Sequence, residues 1–141
     1  MKKSVVILLA VVCLLSVLLI SFIGRIIDPA VETIYVEGIN IYGCDTVNGL
    51  TYKNIFYDAN GYARYQIDCE VVPANASNNK ILFSYDTSDP DVKVSANGLV
   101  EITSATQEIT STIVTLKPAD GVIFEKPVQI QITAWPADFA S

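Results

Sequence analysis

The side chains with the clearest capacity for covalent chemistry are two cysteines, Cys44 and Cys69. On an oxidising side of a membrane they could form a disulfide, which would close a loop of about 25 residues and add roughly 3 kcal/mol of stability through loop entropy. The alternative is a pair of free thiols, with Cys69 packed beside Ile67 and Val71 as a small apolar side chain. The sequence leaves both alternatives open.

A short acidic segment offers carboxylates for a metal ion. Asp86, Asp89 and Asp91 could supply oxygen ligands to Ca²⁺, although their spacing differs from that of an EF-hand loop. The alternative is a structural turn, in which these side chains bond to nearby backbone N–H groups. The chain contains no histidine, so the commonest acid–base group and zinc ligand is missing. We therefore expect a protein without enzyme activity, catalytic residues or a cofactor.

Aromatic side chains are concentrated in residues 42–65, where they alternate with several Asn and Gly residues. Exposed tyrosines give a large contact area at a small cost in side-chain entropy, and such residues are common where proteins bind proteins or sugars. This pattern predicts a binding surface formed by four side chains, namely Tyr52, Phe56, Tyr57 and Tyr62. The alternative is an additional hairpin whose aromatic residues cover the core.

The N-terminus contains a segment long enough to cross a membrane. Residues 4–23 carry no charge, and a helix of this length would span about 30 Å, the thickness of the hydrocarbon core of a bilayer. Lys2 and Lys3 precede the segment, which predicts a cytoplasmic N-terminus by the positive-inside rule. We expect residues 1–24 to be an uncleaved signal anchor, with residues 4–23 in contact with membrane lipid, followed by a short linker at 25–30. The alternative is a cleaved signal peptide and a secreted domain.

Residues 25–141 are acidic. They carry 7 Lys and Arg against 15 Asp and Glu, a formal net charge of −8. This balance argues against a nucleic-acid partner, because no basic stripe is available to neutralise phosphates.

The pattern after the linker is typical of an all-β domain. Short runs rich in Val, Ile, Thr and Tyr recur between turn signals, and alternation of apolar and polar residues is clearest from Ala63 to Val72. Strands are predicted at 33–42, 63–72, 81–85, 92–94, 99–103, 110–116 and 128–132. They predict an antiparallel two-sheet sandwich over residues 31–135, with a tail at 136–141.

Three sequence stretches carry a resemblance to a known family: residues 72–76 (Val-Pro-Ala-Asn-Ala), 88–90 (Ser-Asp-Pro) and 97–100 (Asn-Gly-Leu-Val). Together they resemble the group 2 bacterial immunoglobulin-like family, with Phe83 at the position of the usual Trp and an inserted segment at about 43–61. The resemblance implies an extracellular immunoglobulin-like sandwich, used in bacterial surface proteins for spacing, adhesion or glycan contact. It does not imply catalysis.

These observations together predict a single-pass membrane protein with its domain on the extracellular side. With only a short linker after the helix, the domain would stay close to the membrane surface, which suits an accessory subunit that contacts another protein of a cell-envelope assembly. The alternative function is an adhesin-type module that binds a surface ligand or glycan. The inserted aromatic segment is the predicted contact in both cases, with a sheet edge as the alternative contact for a protein partner.

Overall fold

The computed structural model describes residues 2–26 and 31–140, which fall into two compact units, residues 1–32 and 33–141. Residues 27–30 of the predicted linker lie outside the described residues. In the first unit, helix α1 spans Lys2–Ile26. Its segment Lys2–Ile20 is long and apolar enough to cross a membrane, and its side chains are exposed. A membrane anchor and a signal sequence both have this length and composition.

In the described part of the second unit, the chain forms ten strands and a short 3₁₀ helix, which confirms a β-rich domain after an apolar N-terminal helix. The strands are β1 (Gly38–Tyr42), β2 (Asp45–Val47), β3 (Leu50–Phe56), β4 (Tyr62–Gln66), β5 (Asp68–Val72), β6 (Ile81–Tyr85), β7 (Val92–Val94), β8 (Leu99–Thr103), β9 (Thr110–Pro118) and β10 (Val128–Trp135). The 3₁₀ helix covers Ala137–Ala140 within the predicted tail.

The strands form a five-stranded sheet in the order β2-β3-β10-β9-β6, a three-stranded sheet in the order β4-β8-β7, and the pair β1-β5. All neighbouring strands are antiparallel except β3 and β10, which run parallel with Thr51 opposite Ile130 and Phe56 opposite Trp135. The prediction of a purely antiparallel arrangement is therefore wrong at this pair. The reason is that the segment 43–61 supplies a hairpin, β2-β3, whose second strand joins the sheet beside the last strand of the chain.

The long strand predicted at 63–72 is divided at Ile67. Its first half, β4, pairs with β8, and its second half, β5, pairs with β1. Between them the Ile67 N–H donates to the carbonyl oxygen of Gly98 at 3.0 Å. This change of partner connects the three-stranded sheet to the β1-β5 pair through one continuous segment.

The five-stranded and three-stranded sheets share one hydrophobic core. Alternate residues of each strand point inward, as the two-residue period of a strand requires. The five-stranded sheet contributes the buried residues Ile55, Val114, Leu116, Ile130, Ile132 and Ala134, and the three-stranded sheet contributes Ala63, Val92, Val100 and Ile102. Burial of these apolar side chains from both sheets is the main favourable term in the folding of the unit.

Candidate functional site

The outer side of the five-stranded sheet faces solvent. Because Ile130, Ile132 and Ala134 point into the core, the intervening residues of β10 point outward, and the strand registers extend this pattern to the neighbouring strands. We call the resulting surface the uncharged face. Apart from two charged residues at its margins, Asp45 and Lys117, its side chains are Val47, Leu50, Tyr52, Asn54, Phe56, Leu82, Ser84, Ser111, Ile113, Thr115, Gln129, Gln131, Thr133 and Trp135.

Charge is distributed unequally between the two sides of the domain. Among the outward side chains of the five strands β2, β3, β6, β9 and β10, only Asp45 on the edge strand β2 and Lys117 near the end of β9 are charged. The outward side chains of the other strands include five charged residues: Arg64, Asp68, Glu70, Lys93 and Glu101. The uncharged face is therefore suited to a partner without strong charge, although the domain as a whole is acidic.

Several polar groups of the uncharged face are hydrogen-bonded to one another. The hydroxyl oxygens of Ser111 and Thr133 lie 2.8 Å apart, and the Gln129 side-chain amide donates to Thr115 Oγ1 at 3.2 Å. A polar group that already has a partner loses less on desolvation than an unpaired one. These pairs consequently lower the cost of covering the face with another protein surface.

Aromatic side chains collect at one end of the uncharged face. Phe56 lies opposite Trp135 in the parallel register and is 41% exposed. The Trp135 indole N–H donates to Asn54 Oδ1 at 3.1 Å, and its ring centroid lies 5.8 Å from that of Phe139 in the 3₁₀ helix. These contacts hold the indole in a fixed orientation at the surface, so this end of the face presents a preorganised aromatic contact.

The four predicted binding residues do not form one surface. Tyr52 and Phe56 lie on the uncharged face, whereas Tyr62 lies on the outward side of β4 in the other sheet, with its ring 5.8 Å from the Arg64 guanidinium. For Tyr57 the predicted exposure is wrong. Its side chain is only 2% exposed, and its hydroxyl donates to the Glu108 carbonyl oxygen at 2.8 Å. Phe56 and Tyr57 are consecutive in an extended segment, so only one of them can face solvent.

Cys44 and Cys69 are free thiols in the structure, which is the second of the two alternatives that the sequence leaves open. Cys44 Sγ lies 3.2 Å from the Tyr65 hydroxyl, so each group has a polar partner. Burial, followed by the contact with Cys44, raises the pKa of Tyr65. Burial, followed by the nearby Asp68 carboxylate, raises the pKa of Cys69. Both groups are therefore held in their neutral forms.

The carboxylates of the acidic loop accept hydrogen bonds from the protein itself. Asp86 Oδ1 accepts hydrogen bonds from the Ile113 N–H at 3.0 Å and the Thr112 hydroxyl at 3.4 Å. Asp89 Oδ1 accepts from the Asp91 N–H at 2.9 Å. Within residues 2–26 and 31–140, no three His, Cys, Asp or Glu side chains are grouped so that they could hold a metal ion. The candidate set Asp86, Asp89 and Asp91 is thus not brought together as a site.

Sequence reasoning did not single out the outward residues of β10 as a surface. The signal was available: in the strand Val128–Trp135, the residues that alternate with the apolar core positions are Gln129, Gln131, Thr133 and Trp135, none of them charged. In a chain with 15 acidic residues, an exposed strand side without a charge is informative. The position of β10 beside β3 depends on the order of strands in the sheet. The local sequence pattern does not predict that order.

A comparison of the chain with models of known protein families and with curated proteins finds no match.

Proposed function

We propose that this chain is a non-enzymatic interaction module, anchored in a cell membrane by α1 and exposing its β domain on the extracellular side. Its function is to bind a protein partner at the membrane surface, as an accessory subunit of an envelope assembly. The alternative location is outside the cell: in a secreted module, α1 would be removed as a signal peptide and the β domain would be the same. The orientation is supported by Lys2 and Lys3 before the apolar segment, against Arg25 as the only cation close behind it.

The proposed domain type is an immunoglobulin-like sandwich. With the β2-β3 hairpin set aside, the pair β1-β5 and the sheet β4-β8-β7 follow the order β1, β4-β5, β8, β7 through the continuous segment β4-β5. The strands β10, β9 and β6 are adjacent in the five-stranded sheet. This order corresponds to the ABED and CFG sheets of immunoglobulin domains. The correspondence supports the fold suggested by the sequence resemblance, and the β2-β3 hairpin then represents the insertion at 43–61.

The observation that carries the proposed function is the lack of charge at the centre of the uncharged face, on β3, β10 and the part of β9 that pairs with β10. Interface cores are depleted in charged residues and enriched in aromatic ones, since charges are expensive to desolvate. The face carries Tyr52, Phe56 and Trp135 and places its two charges at the margins, Asp45 on an edge strand and Lys117 near a strand end. These features support a protein contact.

The experiment is purification of the full chain from its native membranes in mild detergent, followed by measurement of particle mass and composition. Three forms are compared: the wild type, Gln131→Lys at the centre of the uncharged face, and Asn40→Lys on the exposed side of β1 as the matched control. We expect a stoichiometric partner chain with the wild type and the control, and its loss with Gln131→Lys. Identical particles from all three forms would contradict the proposal.

A second candidate function, binding of a neutral glycan, is favoured by the aromatic end of the face. The hydrogen bond to Asn54 fixes the edge of the Trp135 indole. The ring is therefore oriented for stacking against a sugar. Binding of neutral envelope polysaccharide that is lost in Trp135→Ala and retained in Tyr62→Ala would support this candidate. Equal binding by both variants would reject it.

A further inference from the structure

We infer that the partner on the uncharged face is a second copy of this chain, and that two copies pair face to face with β10 of one against β10 of the other. This inference rests on the proposed function in one respect, namely that the uncharged face is a protein contact. It adds the identity of the partner and the symmetry of the contact.

The first argument comes from the middle strand. In the order β2-β3-β10-β9-β6, β10 is third of five. A two-fold axis that runs along β10 would bring this strand against itself, so each residue near the axis would meet its own copy. A charged residue there would face a like charge. The outward residues of β10 are Gln129, Gln131, Thr133 and Trp135, and each can meet itself without repulsion, because amides and hydroxyls both donate and accept while indole rings stack.

The second argument comes from where the charges lie. Asp45 is on β2, two strands from β10 and hence about 10 Å from the axis, given a strand spacing of about 4.8 Å. Lys117 is next to the last residue of β9, beyond the part of that strand that pairs with β10. Twisted sheets diverge at their corners when they pack face to face. Both charges are therefore outside the centre of the contact.

The third argument concerns net charge. Residues 25–141 of each copy carry a formal charge of −8, so two copies repel each other across most orientations. The uncharged face is the side on which they can approach without placing like charges in contact. A different protein could instead bind through positive charges that complement the acidic surface. Such a contact would not require β10 to carry residues that can pack against their own copies.

The size of the face suffices for a pair held in one membrane. Five strands at about 4.8 Å and about six residues at about 3.4 Å give roughly 24 by 20 Å, on the order of 1,000 Å² buried in total by two copies. This is near the lower limit for specific interfaces. An axis along the strands leaves the first residues of both domains at the same end, as two chains anchored in one membrane require, and shared anchoring raises their effective concentration.

The test counts copies of the full chain in detergent micelles by light scattering and in nanodiscs by single-molecule photobleaching. The variants are Gln131→Lys, Gln131→Glu and an equal mixture of the two, with Asn40→Lys as control. We expect the wild type and the control to be dimers, and each single variant to associate at least about tenfold more weakly (about 1.4 kcal/mol) because like charges meet at the axis. The mixture should restore dimers that contain one chain of each kind. Circular dichroism and melting temperature establish that every variant is folded.

Each other outcome overturns the inference in a distinguishable way. A dimer that persists in Gln131→Lys would place the contact elsewhere, for example along α1. Loss of the dimer without recovery in the mixture would exclude the two-fold arrangement through β10. A monomeric wild type that carries a different protein, lost in Gln131→Lys, would reject the second copy and keep the proposed function. A monomeric wild type whose composition is the same in every variant would reject both.

Discussion

Asn54 and Trp135 are joined by a side-chain hydrogen bond across the parallel pair β3-β10, with 3.1 Å between the indole nitrogen and Asn54 Oδ1. The bond connects the hairpin β2-β3 to the last strand of the chain. It is also the contact that orients the largest aromatic side chain of the uncharged face. Asn54 therefore serves both the attachment of β3 and the shape of the candidate site.

The first prediction concerns this pair. Replacement of Asn54 by Ala removes the acceptor, so we expect the free energy of unfolding to fall by about 1 kcal/mol and the indole to become more mobile. Trp135 is the only tryptophan in the chain, so its fluorescence reports the change directly. Acrylamide quenching should increase in Asn54→Ala and stay unchanged in Ser84→Ala, a control on the same face. Unchanged quenching in both would show that the bond does not hold the ring.

Local features of the fold could be predicted from the sequence. The strands expected at 81–85, 92–94 and 99–103 coincide with β6, β7 and β8. Alternation marks the strands, and Asn97-Gly98 marks the turn between β7 and β8, where Gly98 has a φ of +86°. A Cβ at Gly98 would also lie 2.8 Å from the tip of the Phe83 ring, so any other residue there would require this ring to shift in addition to adopting a strained φ. These features depend on residues close in sequence.

The remaining features depend on contacts between distant residues. Nothing near residues 50–56 shows that this segment runs parallel to residues 130–135, because the pairing is decided by the sheet order. The burial of Tyr57 follows from the same placement: once Ile55 points into the core, Tyr57 must do so as well. The aromatic cluster was visible in the sequence, but its division between two sheets was not.

The second prediction concerns the thiols. Cys44 and Cys69 are both free in the structure, and Cys69 is partly buried with a raised pKa. We expect alkylation under denaturing conditions without reductant to label all three cysteines of the chain. Under native conditions at pH 7.5, Cys69 should react more slowly than in the unfolded chain, because the thiolate is the reactive form. Mass spectrometry of the peptides measures both. A peptide pair joined through Cys44 and Cys69 would contradict the expectation.

The third prediction is a loss of stability at alkaline pH. Folding raises the pKa of Cys69 and Tyr65 above their ordinary values of 9.0 and 10.0. Above about pH 9 the unfolded chain therefore releases protons that the folded chain retains, and stability falls as pH rises. Below that pH these groups contribute no pH dependence, since both states are protonated.

Melting temperatures measured between pH 7 and 10.5 test this prediction. Tyr65→Phe should flatten the alkaline decline, because it removes a hydroxyl that ionises in the unfolded chain and stays protonated in the folded one. Tyr62→Phe, on the exposed side of the same strand, should retain the decline of the wild type. The same slope in all three proteins would show that Tyr65 is not the titrating group.

The fourth prediction separates backbone strain from steric overlap at two glycines. Gly61 and Gly121 have nearly the same φ, +80° and +86°, in the left-handed region that disfavours a side chain. A Cβ at Gly61 would overlap the backbone carbonyl of Ser104, whereas a Cβ at Gly121 would meet nothing within 4 Å. The Ser104 N–H also donates to the Gly61 carbonyl at 2.8 Å, so this part of the backbone cannot move away freely.

We expect Gly121→Ala to lower the free energy of unfolding by about 1 kcal/mol, the cost of the left-handed conformation alone. Gly61→Ala should cost roughly 3 kcal/mol, because overlap with backbone atoms is added to that strain. Thermal unfolding of the full chain in detergent, followed by Trp135 fluorescence, measures the difference. Equal losses in the two variants would mean that the β3-β4 connection shifts to accept the methyl group. The close approach of Gly61 to Ser104 would then not be a fixed feature of this end of the domain.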